Sequence, residues 1–92
     1  MPNNKISPHA IIEDGAKIGK NVEIGAFCFI SKDATVGDGT KIAQSSCIYG
    51  KTTIGKNNTI FSHAVIGSIP QDLKYAGEEV ELIIGDNNRI RE

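Results

Sequence analysis

An aliphatic residue returns at every sixth position from Ile6 to Ile66: Ile6, Ile12, Ile18, Ile24, Ile30, Val36, Ile42, Ile48, Ile54, Ile60 and Ile66. Six fits neither the 3.6-residue helix nor a long amphipathic strand, although it is a multiple of the strand period of two. A short fixed repeat of this kind marks a solenoid. Two positions before the aliphatic residue the chain favours a small one: Ala10, Ala16, Cys28, Ala34, Thr40, Ser46, Thr52 and Ala64. Glycine often follows it, at Gly19, Gly25, Gly37, Gly55 and Gly67.

Each hexad predicts one very short strand whose Ile points into a prism, with the small residue also inward near the corner. The corners need backbone that tolerates positive φ, which Gly and Asn supply with least strain. Gly19-Lys20-Asn21, Gly37-Asp38-Gly39, Gly55-Lys56-Asn57-Asn58 and Gly85-Asp86-Asn87-Asn88 meet that need, and Ser7-Pro8-His9-Ala10 forms the first corner. Three hexads close one turn, so Ile6, Ile24, Ile42 and Ile60 are expected to stack on one wall, with parallel pairing at about 4.8 Å. A β-sandwich is the competing all-β reading, but its turn signals recur every 8–12 residues or so and give no reason for a strict six.

The repeat breaks once. The next inward positions after Ile66-Gly67 are Asp72 and Glu78, and neither carboxylate enters a dry Ile column without a large desolvation cost. Residues 68–81 are therefore expected to leave the coil as an excursion loop, the pattern resuming at Ile84-Gly85 and Ile90. Loops of this length on a regular scaffold tend to carry binding residues, and this one holds Pro70, Gln71, Asp72, Lys74 and Tyr75. The plain alternative is a tolerated surface insertion.

Ninety-two residues allow one domain, here 1–92. A solenoid suits so short a chain because each coil needs only its neighbours. A net charge of −1 argues against nucleic acid or an anionic membrane as partner, and no apolar run reaches a membrane-spanning length. A cytoplasmic location is the default. Cys28 takes an inward position and Cys47 an outward one, so two reduced thiols are expected rather than a disulfide or a zinc site. His9 falls at a corner and reads as a solvated surface residue. His63 lies beside the start of the excursion; a surface or interface role is the expectation, a catalytic base the sharper alternative.

The hexads resemble the left-handed parallel β-helix of the hexapeptide-repeat acyltransferases, and only that resemblance implies the left hand. Within the superfamily, Gln71-Asp72-Leu73-Lys74-Tyr75-Ala76-Gly77-Glu78 and Ile84-Gly85-Asp86-Asn87-Asn88-Arg89-Ile90-Arg91-Glu92 are similar to the UDP-N-acetylglucosamine O-acyltransferases of lipid A synthesis. The fold implied is an all-β, left-handed parallel β-helix of about five coils with one excursion loop. The activity implied is transfer of a 3-hydroxyacyl group from acyl carrier protein to the sugar 3-hydroxyl of UDP-N-acetylglucosamine, without metal or cofactor, in a homotrimer. The resemblance gives Asp72 and Lys74, with Gln71 beside them, to substrate contact. It places the family's catalytic histidine and helical C-terminal domain beyond Glu92, so no catalytic residue is assigned here and the chain alone is expected to be inactive.

Two other classes stay in view. Another hexapeptide-repeat enzyme, such as an acetyltransferase, shares the coil. A zinc-dependent relative needs several histidine ligands, and this chain has two. A structural or ice-binding solenoid needs a ladder of outward Thr, which Thr35, Thr40, Thr52, Thr53 and Thr59 do not supply.

Overall fold

In the computed structural model, which describes residues 3–67 and 81–91, the hexads wind into a three-walled parallel β-helix. The first six strands are β1 (Lys5–Ile6), β2 (Ile11–Ile12), β3 (Lys17–Ile18), β4 (Glu23–Ile24), β5 (Phe29–Ile30) and β6 (Thr35–Val36). There follow β7 (Lys41–Ile42), β8 (Cys47–Ile48), β9 (Lys51–Ile54), β10 (Thr59–Ile60), β11 (Val65–Ile66), β12 (Glu81–Ile84) and β13 (Arg89–Ile90). Successive strands visit the walls in rotation. The first wall is β1-β4-β7-β10-β13, the second β2-β5-β8-β11 and the third β3-β6-β9-β12. The described strands thus complete four turns and begin a fifth, slightly fewer than the five expected.

The register follows the hexads. Ile6, Ile24, Ile42, Ile60 and Ile90 stack on the first wall. Ile12, Ile30, Ile48 and Ile66 stack on the second, and Ile18, Val36, Ile54 and Ile84 on the third. From Ile24 to Ile60 these side chains are almost wholly buried, while the columns open toward solvent at Ile6 and at Ile84 and Ile90. Eighteen residues, rather than six, separate Ile66 from Ile84. The excursion therefore adds two hexads' worth of chain without disturbing the columns.

The small residues line the corners from inside, and burial forces their polar atoms into partnership. Cys28 Sγ donates to the Ala43 carbonyl at 3.0 Å, Thr40 Oγ1 to Gly55 at 2.8 Å and Ser46 Oγ to Phe61 at 2.9 Å. Each bond reaches fifteen residues ahead, onto the next coil. Val22 and Asn58 hold the same kind of buried position. At the corners, Asn21, Gly39, Asn57 and Asn87 have φ of 57°, 73°, 56° and 60°, the left-handed backbone that Asn and Gly accept most readily. On the outer surface Thr35 pairs with Thr53, but Lys17 lies beyond Thr35 and Ile83 beyond Thr53, so no threonine ladder forms.

Candidate functional site

The coil is interrupted between the second and third walls, and both stems of the interruption rest on one stretch, Tyr49 to Asn58. Gln71, Asp72 and Lys74 lie outside the described residues. What the structure places is the chain on either side of them, up to Gly67 and from Glu81.

The chain departs at Gly67, whose φ is 78°. A Cβ there would collide with the Tyr49 carbonyl oxygen and lie 2.8 Å from Thr52 Oγ1, so only glycine fits. Beneath it, Thr52 Oγ1 donates to the Tyr49 carbonyl at 2.8 Å. The chain returns as β12, which pairs with β9 over four residues: Glu81 with Lys51, Leu82 with Thr52, Ile83 with Thr53 and Ile84 with Ile54. Every other strand among the described residues is two residues long. Glu81, expected at the end of the loop, already belongs to this strand, and its carboxylate sits 3.9 Å from Lys51 Nζ. Both side chains of that ion pair are substantially exposed, so it adds little energy and mainly marks the register.

Past the return, two side chains tie the last coil down. Asn58 is fully buried; its Nδ2 donates to the Gly85 carbonyl and its Oδ1 accepts from Asn88 N–H, each at 2.8 Å. Asp86 Oδ1 accepts from Lys56 N–H at 2.7 Å.

His63 occupies the corner before β11, exposed, with φ 63° and its N–H donated to the Gln44 carbonyl at 3.2 Å. Among the described residues no carboxylate pairs with its ring. His9 stacks on Phe27 with ring centroids 5.7 Å apart, also at an exposed corner. Cys28 is buried and Cys47 half-buried, both as free thiols. Burial pushes the Cys28 thiol above its ordinary pKa, and the hydrogen bond with the Cys47 thiol raises the Tyr49 phenol. Among the described residues, no three His, Cys, Asp or Glu side chains gather as metal ligands, and no helix is long and apolar enough to cross a membrane. A shallow groove of about 520 Å³ runs along the first wall past Lys5, Glu23, Lys41, Thr59 and Phe61. The strands on either side of the excursion, β11 and β12, belong to the other two walls.

The hexad count predicts an excursion and names candidate residues on it, which lie outside the described residues, but it does not anticipate this frame on either side of it. The signal was present: Lys51-Thr52-Thr53-Ile54 and Glu81-Leu82-Ile83-Ile84 are both β-rich, alternating runs longer than a hexad strand needs.

Residues 1–32 match the family model for the bacterial transferase hexapeptide, six repeats. An acyl-(acyl-carrier-protein)–UDP-N-acetylglucosamine O-acyltransferase of Sulfurimonas denitrificans is 82% identical over 97% of the chain, and one of a Sulfurovum species is 62% identical over 95%. The solved structure of LpxA from Acinetobacter baumannii superposes with a TM-score of 0.86 at 48% identity, covering 95% of the chain. This chain spans about a third of the length of each, 34% in all three comparisons. The coil is thus a left-handed parallel β-helix of the hexapeptide-repeat class. Within that class, the chain is the counterpart of the N-terminal part of the UDP-N-acetylglucosamine O-acyltransferases.

Proposed function

We propose that this chain is the N-terminal, substrate-side portion of an O-acyltransferase of the lipid A pathway. The reaction moves a 3-hydroxyacyl group from acyl carrier protein to the 3-hydroxyl of UDP-N-acetylglucosamine. The observation that carries this reading is the 82% identity across nearly the whole chain, excursion included, with a relative named for acyl carrier protein and UDP-N-acetylglucosamine. In this reading Asp72 accepts from sugar hydroxyls, Lys74 neutralises an anionic group of substrate or carrier protein, and Gln71 sits beside them. The protein works in the cytoplasm as a homotrimer.

The transfer requires a base for the sugar hydroxyl. His9 and His63 are exposed, and among the described residues neither is oriented by a carboxylate, so the 92-residue chain is expected to bind the nucleotide sugar without turning it over. Calorimetry with UDP-N-acetylglucosamine, run beside an acyl-transfer assay with hydroxyacyl carrier protein, tests both halves. The expected result is weak binding that Asp72→Ala and Lys74→Ala each reduce, with no turnover. Absence of any binding overturns the substrate assignment. Turnover abolished by His63→Ala overturns the expected inactivity and makes His63 the base.

A further inference from the structure

Two Asp-Gly pairs stand at corners of the coil with their carboxylates exposed, Asp14-Gly15 and Asp38-Gly39. Such a pair can react with itself, because glycine has no side chain to shield its amide nitrogen. The nitrogen attacks the Asp Cγ, and the new C–N bond closes a succinimide ring. The carboxyl oxygen leaves with the amide proton as water. Water then returns to the ring; when it cleaves the bond to the backbone carbonyl, the chain runs on through Cβ and Cγ as isoaspartate. Nothing but water is consumed or released.

The fold treats the two pairs differently. Asp38 Oδ1 accepts from Lys20 N–H at 2.8 Å, and Gly39 N–H donates to the Lys20 carbonyl at 2.9 Å. Both reacting groups of that pair are therefore held by the coil below. Asp14 and Gly15 are exposed, and among the described residues neither the carboxylate nor the Gly15 N–H has a hydrogen-bond partner. Their turn is closed by one bond, Ala16 N–H to the Glu13 carbonyl at 3.1 Å. Gly15 holds a φ of 109°, so the turn itself calls for the residue that leaves the amide unshielded.

We propose that Asp14 is a site of spontaneous isoaspartate formation, whose product is the substrate class of isoaspartyl carboxyl methyltransferases. The added backbone carbon falls in the corner between β2 and β3. That corner is tied to the next coil by Glu13 Oε1, which accepts from Lys32 N–H at 3.0 Å, and by Lys17 N–H, which donates to Ala34 at 3.0 Å. Lengthening it loosens the first coil at Lys17. The proposal does not depend on the acyltransferase reading.

The 92-residue chain and Asp14→Glu, whose longer side chain disfavours the ring, are aged at neutral pH, folded and in denaturant. Isoaspartate is located by peptide mapping with methyltransferase labelling. Two hydrogen bonds predict roughly ten- to thirtyfold faster accumulation at Asp14 than at Asp38 in the folded chain. The two sites are expected to react comparably in denaturant, and Asp14→Glu to give no label at this corner. In the aged parent, hydrogen exchange at the Lys17 amide is expected to quicken while that at Lys41 stays unchanged. No isoaspartate at Asp14, or as much at Asp38 in the folded chain, overturns the proposal. A difference that persists in denaturant overturns the role of the fold, and unchanged exchange at Lys17 overturns the effect on the coil.

Discussion

At the scale of single residues, Asn58 shows how a polar side chain comes to be fully buried inside the coil. Burying a primary amide without partners costs several kcal/mol, about 2–7 depending on the reference state. Here Nδ2 and Oδ1 bridge the Gly85 carbonyl and the Asn88 N–H on the following coil, and the Asn58 N–H itself reaches Thr40 Oγ1 at 3.3 Å. Asn4 makes the same clamp one end earlier, onto Gly19 and Val22. The coil above Asn58 is the one that follows the excursion, so its register has no short covalent connection to rely on. Asn58→Ala is expected to cost about 1–3 kcal/mol, a melting shift of several degrees or more. Hydrogen exchange locates the loss: protection at Thr59, whose N–H donates to Asn88, falls first, while Glu23 and Gly25 keep theirs. Uniform loss across all coils contradicts that assignment.

At the scale of elements, the two-residue strands are legible in sequence because each contributes one inward aliphatic side chain and the period counts them. The three walls, the Ile columns and the breaks after Ile66 and before Ile84 all follow from the hexad. The hand does not follow, since spacing alone is the same in either hand and the general crossover rule favours the right. Asn58 was read as corner backbone because an amide rarely lines a dry column; only its two backbone partners explain the burial. The lengthening of β9 and β12 was also missed, because a hexad template stops counting at two residues. Gln71, Asp72 and Lys74 rest on sequence. Ile42 tests the column itself, lying fully buried at the centre of the five-strand wall between Ile24 and Ile60. Ile42→Asp buries an unpaired carboxylate and removes the aliphatic contact, a combined loss of more than about 4 kcal/mol that a short solenoid does not survive. A circular-dichroism melt of the variant should show no cooperative transition at neutral pH. A melt matching the parent rules out the inward column.

At the scale of the whole molecule, the outward side chains distinguish the walls. The first carries Lys5, Glu23, Lys41, Thr59 and Arg89, with Lys41 Nζ 3.8 Å from Glu23. The third carries Lys17, Thr35 and Thr53 before Ile83. The second carries Ile11, Phe29, Cys47 and Val65, with Phe27 at the adjoining corner and Tyr49 against Phe29 at 5.4 Å. Ile11, Phe27 and Val65 are 62%, 68% and 59% exposed, a continuous apolar strip rather than scattered single residues. Phe27 also holds a φ of 62°, costly for a bulky side chain, which keeps the ring at the corner instead of folding it away. In the proposed homotrimer this strip is the expected contact between copies: a closed ring needs an apolar patch on each subunit, the first wall offers charge and hydroxyls, and the third has exposed apolar side chains only at Leu82 and Ile83 on its last described strand. Ile11→Lys with Val65→Lys places two ammonium groups on the strip while leaving the inward columns intact. Light scattering is expected to give a trimer for the parent chain and a monomer for the double variant, with matching circular dichroism. A parent that stays monomeric at high concentration removes the assembly, and a double variant that still forms trimers moves the interface to another wall.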